Sequence, residues 1–204
     1  MKIQLSDHFT YKRLIRFVFP SIIMMICTSM YSIIDGLFIS NFAGKTAFAA
    51  VNLILPVAMG VGAIGFMIGS GGSAIVAKTL GEGKIENANE YFSMLVYITA
   101  IGGIIIAILS MFLVKPVAIL FGASGTLLDN CILYGRILCI SLPAFMLQNV
   151  FQSFFVTAEK PHLGLRVIVI AGVTNMVLDF LFVAVLHLGL PGAGFATVCG
   201  EFIG

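Results

Sequence analysis

Apolar residues run along this chain in long uninterrupted stretches, broken only by short polar clusters. A bilayer core of about 30 Å needs roughly 20 helical residues at 1.5 Å each. Five runs meet that length, at 14–40, 48–78, 91–113, 127–157 and 165–186, and a sixth begins at 190 and is still running at 204. A closed β-barrel would need segments of about ten residues in alternating pattern, which the continuous runs exclude. The expected fold class is therefore an all-α membrane protein, a six-helix transmembrane bundle. Its sixth helix, with 15 residues and no basic stop or loop after it, reads as truncated, as in a piece of something longer. The punctuation between runs falls at Gly81–Glu82–Gly83–Lys84, Lys115–Pro116, Glu159–Lys160–Pro161 and Leu188–Gly189–Leu190–Pro191–Gly192, with Val117–Phe121 expected as a short interfacial turn.

Composition agrees with the pattern. The 204 residues are 60% hydrophobic and 10% charged, with a mean hydropathy of +1.11, against about 25% charged residues in soluble domains. Eleven basic residues form no extended patch and the net charge is +2, so nucleic acid is not expected as a partner, whereas the lipid bilayer is. Basic residues also set the expected orientation. Lys2, Lys12, Arg13, Arg16, Lys78, Lys84, Lys160 and Arg166 would share one side, against Lys45 and Lys115 on the other. A multi-pass protein with a cytoplasmic N-terminus follows, with residues 1–13 as a cytoplasmic segment. The first run is too long for the core of a signal peptide. Cys27, Cys131, Cys139 and Cys199 lie in apolar runs without ligand spacing and read as packing residues.

Ionisable groups within apolar helices are costly and demand a reason. Three stand out: Asp35, Arg136 and Asp179. Under the expected topology Asp35, Tyr134, Asp179 and Thr197 lie five to seven residues below the outer ends of four different helices. At 1.5 Å per residue they share a depth of roughly 8–11 Å. Asn175 precedes Asp179 by one turn on the same helical face. Two carboxylates, an amide, a phenol and a hydroxyl form an oxygen-rich pocket suited to Na⁺ or H⁺ rather than to a soft metal, at Asp35, Asn175, Asp179 and Thr197. Burial penalises the charged form of an acid, more so beside a second acid, which lets such a pair load and release a proton near physiological pH. The bland alternative is that the acids only fix packing. Arg136 pairs with one of them or snorkels outward.

Other signals point away from catalysis. Gly60–Val61–Gly62–Ala63–Ile64–Gly65 is a literal G-x-G-x-x-G, but no strand precedes it. With Gly69 and Ser70–Gly71–Gly72–Ser73 it reads as a small-residue face for close helix approach. His8, His162 and His187 fall at or beyond helix ends, so no intramembrane serine protease is assembled around Ser73. No P-loop is present, and neither an enzyme nor a cofactor is expected. Pro20, Pro56 and Pro143 interrupt helices 1, 2 and 4, as static kinks or functional bends.

Together these residues resemble the multidrug and toxic compound extrusion (MATE) family. The likeness rests on Pro20 with Asp35 fifteen residues on, Ala49–Ala50–Val51–Asn52–Leu53–Ile54–Leu55–Pro56, the Leu80–Gly81 loop, Lys160–Pro161, Asn175 with Asp179, and Gly192–Ala193–Gly194–Phe195–Ala196–Thr197. It implies one lobe of a twelve-helix, two-lobe transporter, with residues 14–204 as the N-terminal lobe and a C-terminal lobe missing from this chain. It also implies export of organic cations and other drugs across the cell membrane in exchange for H⁺ or Na⁺. The family's cation site matches Asp35, Asn175, Asp179 and Thr197, with Tyr134 close by, and Pro20 matches a helix-bending position. Thr157–Ala158–Glu159–Lys160–Pro161 departs from the pattern by lacking a glycine before its proline, and a single lobe cannot rock against another. Two rival readings remain: a lipid-linked saccharide flippase of related fold, and a non-transporting half-subunit or fragment.

Overall fold

The computed structural model describes residues 11–204, with the side chains of residues 12–14, 16 and 17 excepted. The segment expected at 1–13 lies outside the described residues as far as residue 10. From Tyr11 the chain is already helical. Six α-helices follow in order: α1 (Tyr11–Phe38), α2 (Lys45–Gly81), α3 (Ile85–Leu120), α4 (Gly125–Thr157), α5 (Pro161–Asp179) and α6 (Gly189–Ile203). Two π-helical segments, Ile39–Ala43 and Phe180–Val185, extend α1 and α5. Five of the helical stretches are long and apolar enough to cross a membrane, and α6 is shorter.

Several boundaries differ from the sequence expectation. Lys115–Pro116 does not end the third helix, which starts at Ile85 and runs through Pro116 to Leu120, absorbing the interfacial turn expected from Val117. Pro116 removes the N–H that would have bonded the Phe112 carbonyl, and the helix continues for only about one more turn, to Leu120. Gly189, Leu190, Pro191 and Gly192 are the first turn of α6 rather than a loop. A proline in the first turn sacrifices an N–H that has no helical acceptor anyway. Glu159, in the segment that lacks the glycine expected before its proline, takes the left-handed backbone conformation (φ 58°) that ends α4, while the Lys160 N–H donates to the Phe155 carbonyl at 2.9 Å. A helix end of this kind favours glycine, so the glutamate holds the turn at a steric cost.

Helix α4 is the axis of the bundle, packing against α2, α3, α5 and α6, while α1 rests on α5. The approach of α2 to α4 depends on glycines at helical spacing. Gly62, Gly65 and Gly69 are buried against α4 and Gly72 against Leu95 of α3, whereas Gly60 and Gly71 have nothing within 4 Å of where a Cβ would stand. The G-x-G-x-x-G is thus split between a packed face and an open one. A Cβ on Gly65 would lie 2.6 Å from the Met146 carbonyl oxygen, and one on Gly69 would lie 2.9 Å from the Val150 Cα. Backbone meets backbone there, which is how helices associate when lipid supplies no hydrophobic drive between them. On the outside the pattern inverts. Ile101, Ile104, Ile105, Ile108 and Phe112 of α3 are each more than half exposed, as suits a surface facing hydrocarbon.

Gly65→Ala is expected to destabilise the lobe by about 1–3 kcal/mol through overpacking. Gly71→Ala should be neutral or stabilise by up to about 1 kcal/mol, from helix propensity alone. Thermal unfolding of the purified protein in detergent distinguishes them. Equal effects of the two substitutions would contradict the packed-face assignment.

Candidate functional site

Within the helices, hydroxyl and amide side chains find partners close at hand. Thr28 donates to the Met24 carbonyl at 2.9 Å, Thr99 to Leu95 at 2.8 Å, Asn149 to Phe145 at 2.9 Å and Thr197 to Ala193 at 3.1 Å. Each reaches back about one turn to a carbonyl that accepts a second bond. A carboxylate has no such recourse. It only accepts, and in a helix interior every backbone N–H is already spent.

Asp35 of α1 is 8% exposed and Asp179, the last residue of α5, is fully buried. Their side chains neighbour one another. Yet Asp35 Oδ1 and both Asp179 oxygens have no hydrogen-bond partner. Asn175, 4% exposed, leaves its Oδ1 unpartnered as well. The phenol of Tyr134, from the buried face of α4, stands next to the Thr197 hydroxyl and near both acids. The structure therefore brings Asp35, Tyr134, Asn175, Asp179 and Thr197 together from α1, α4, α5 and α6. Asp35 precedes the helical end at Ala43 by eight residues and Asp179 precedes Val185 by six, while Tyr134 follows Gly125 by nine and Thr197 follows Gly189 by eight.

A cavity of ≈ 90 Å³ opens beside the acids, lined by Asp35, Tyr134, Asn175 and Thr197 together with Tyr31, Ser141 and Phe145. A second, of ≈ 100 Å³, continues along α4 past Gln148, Asn149 and Gln152. Among the described residues no Lys, Arg or His lines either one. Arg136 does not join the acids. It is exposed on the flank of α4 in a separate groove with Asp129. Pro20 is fully buried within α1, on the same helix as Asp35 but fifteen residues before it. No group of three or more His, Cys, Asp or Glu suited to a metal ion occurs among the described residues. The four cysteines are free, Cys131 and Cys139 being buried in the packing.

One side chain was overlooked in the sequence. Glu201 lines both cavities, and its enclosed Oε2 has no partner. It lies one turn beyond Thr197 on the same face of α6, and that four-residue spacing within an apolar helix was the available signal. The π-helical segments were not anticipated either. One begins directly after Asp179 and the other four residues after Asp35, and the two pack on each other and on α6. Wide turns of this kind recur at functional sites.

Comparison with known proteins supplies the context. The family model MatE matches residues 20–181. Multidrug export protein MepA of Staphylococcus haemolyticus is 25% identical over 95% of this chain, and its Staphylococcus aureus counterpart is 21% identical over 92%. The chain spans 43% and 42% of those relatives' lengths. Among solved structures, a MOP superfamily transporter from Pyrococcus furiosus, described as having a binding pocket of reversed polarity, is 27% identical with a TM-score of 0.85. That match covers 92% of this chain and 41% of the other. A MATE transporter in its bent conformation is 26% identical with a TM-score of 0.86, covering 93% of this chain and 42% of its own. With its apolar helices, its one-lobe match to solved transporters and the family-model match over residues 20–181 all in agreement, this multi-pass membrane protein belongs to the MatE family of transporters.

Proposed function

We propose that this lobe serves a cation-coupled exporter of drug-like molecules, in which Asp35 and Asp179 hold the coupling H⁺ or Na⁺. One observation carries the reading: three carboxylate oxygens of a buried acid pair have no donor, and no basic side chain lines the adjoining cavities among the described residues. A bare pair of negative charges in that position is too costly to persist. A shared proton satisfies it, and so does Na⁺ held with the Asn175 carbonyl and Thr197 hydroxyl oxygens, the ligand chemistry a hard cation prefers. Tyr134 orients the Thr197 side of the site.

Export follows if ion binding favours one state of the lobe and drug binding another. The two ligands then weaken each other's binding by the same factor. Pro20 is a suitable place for α1 to yield, because it leaves the carbonyl one turn before it without an N–H. That solved MATE relatives include both a bent and a straight form supports two states in the family. The relatives' names support multidrug export, and their greater length supports a second lobe that completes the transporter. The excess of basic residues expected on one side supports a cytoplasmic N-terminus in the cell membrane. The flippase alternative needs cationic groups to meet a phosphate-linked saccharide, and the cavity lining offers none among the described residues.

Asp35→Asn and Asp179→Asn are each expected to lower ion-gradient-driven dye efflux by about tenfold or more in the complete protein, at unchanged membrane abundance. Efflux at wild-type rates in both variants would overturn the coupling assignment. Pro20→Ala is expected to slow turnover by several-fold while leaving drug affinity at equilibrium within about a factor of three. An effect on affinity alone would remove Pro20 from the moving part.

A further inference from the structure

The Asp35/Asp179 pair leaves one half-buried acid of the lobe unused. Glu201 sits on α6 a turn beyond Thr197, where α6 comes close to α5: a Cβ on Gly200 would lie 3.1 Å from the Asn175 Cβ. The carboxyl of Glu201 faces both cavities, with Oε2 enclosed and unpartnered. Asn175, nearly fully buried, also lines both and leaves its Oδ1 without a donor. Two of the amides along this cavity are turned elsewhere: Asn149 Nδ2 donates to the Phe145 carbonyl, and Gln152 Nε2 is directed at the Met24 sulfur, 3.9 Å away. Two aromatic rings, Tyr31 and Phe145, are common to the walls of both cavities. Tyr31 neighbours Asp35 on one side and Glu201 on the other.

We infer that Glu201 is the anionic anchor for the positively charged headgroup of an organic cation, a substrate site distinct from the Asp35/Asp179 pair but in the same cavity system. An unpaired carboxylate flanked by aromatic faces is how a quaternary or protonated amine is recognised: the charge attracts, and the rings add cation–π contact to a weakly hydrated ion. The chemistry separates this ligand from the coupling ion. A hard cation is held by converging oxygens alone, whereas the cavity at Glu201 also carries the Tyr31 and Phe145 rings. Volume points the same way, since a cavity of ≈ 100 Å³ admits an alkylammonium headgroup but not a whole polycyclic drug, whose body would extend along the open side. Tyr31, placed between the two acidic regions, is the contact through which cation occupancy at one is felt at the other.

This inference rests on the export reading for its substrate class, and its test separates the two. Benzyltrimethylammonium, a permanent cation, is titrated into the complete detergent-purified protein by calorimetry, and the thermal shift produced by Na⁺ or by lowered pH is read on the same samples. Glu201→Gln should weaken benzyltrimethylammonium binding at least tenfold while keeping the ion-induced thermal shift. Glu201→Asp should weaken it several-fold, and it decides the question alone if the glutamine variant does not fold. Wild-type affinity in either folded variant overturns the proposal. So does loss of the ion-induced shift in Glu201→Gln, which would place this residue in the coupling site instead. If Asp35→Asn retains the ion-induced shift, the coupling reading fails while the Glu201 result stands.

Discussion

A carboxylate inside a membrane helix has nowhere local to turn, and the organisation of this lobe follows from that constraint. Serine, threonine and asparagine side chains here donate back to a carbonyl in their own helix, as Thr28, Thr99, Asn149 and Thr197 do. Acids accept only, and the helix has no N–H left to give them. On the proposed reading, Asp35 and Asp179 obtain satisfaction from outside the protein, from a proton or a small cation. Their adjacency sharpens the requirement, because neither can serve as the other's donor without a proton between them. A site that is incomplete by construction is a site whose occupancy can be exchanged.

Packing makes that incompleteness tolerable. The glycine face of α2 allows α4 to approach to backbone contact near Met146 and Val150, and α4 then supplies Tyr134 to the site a few turns away. Gly194 of α6 lets Ile137 of α4 approach to within 2.9 Å of a hypothetical Cβ, and Gly200 does the same service for α5. Rigid helix contacts below the acids thus coexist with wide π turns beyond them. The π segments Ile39–Ala43 and Phe180–Val185 pack together around the buried Ile39 and Val183, closing one end of the bundle over the site. The arrangement pairs a firm scaffold with a locally irregular cap.

Much of this was legible from residues alone, for reasons that can be stated. Apolar runs of membrane length leave few alternatives to helices, so the six helices could be placed with their ends uncertain by several residues. Asp35 and Asp179 were conspicuous because charge in such runs is rare, and counting residues from helix ends located them at one level. Pro116 misled because proline signals a break in water-soluble helices, whereas this one sits where the helix is about to end. Pro191 misled in the opposite sense, marking the first turn of α6 rather than a loop. The π segments left no trace in side-chain pattern, since a widened turn is decided by how α1, α5 and α6 meet. Arg136 could not be assigned a side from periodicity; α4 packs against four other helices, and only that packing shows that position 136 faces out. Glu201 was hidden in plain view. The same four-residue rule that joined Asn175 to Asp179 joins Thr197 to Glu201.

The central claim is that Asp35 and Asp179 form one cation-binding unit rather than two independent acids. A double-mutant cycle on ion-linked stability tests it most directly: the thermal shift induced by Na⁺ or protons is measured for the wild type, Asp35→Asn, Asp179→Asn and the double variant. The account predicts that each single substitution removes most of the shift and that the double removes no more than either alone. Losses that simply add, each acid contributing its own share, would contradict it.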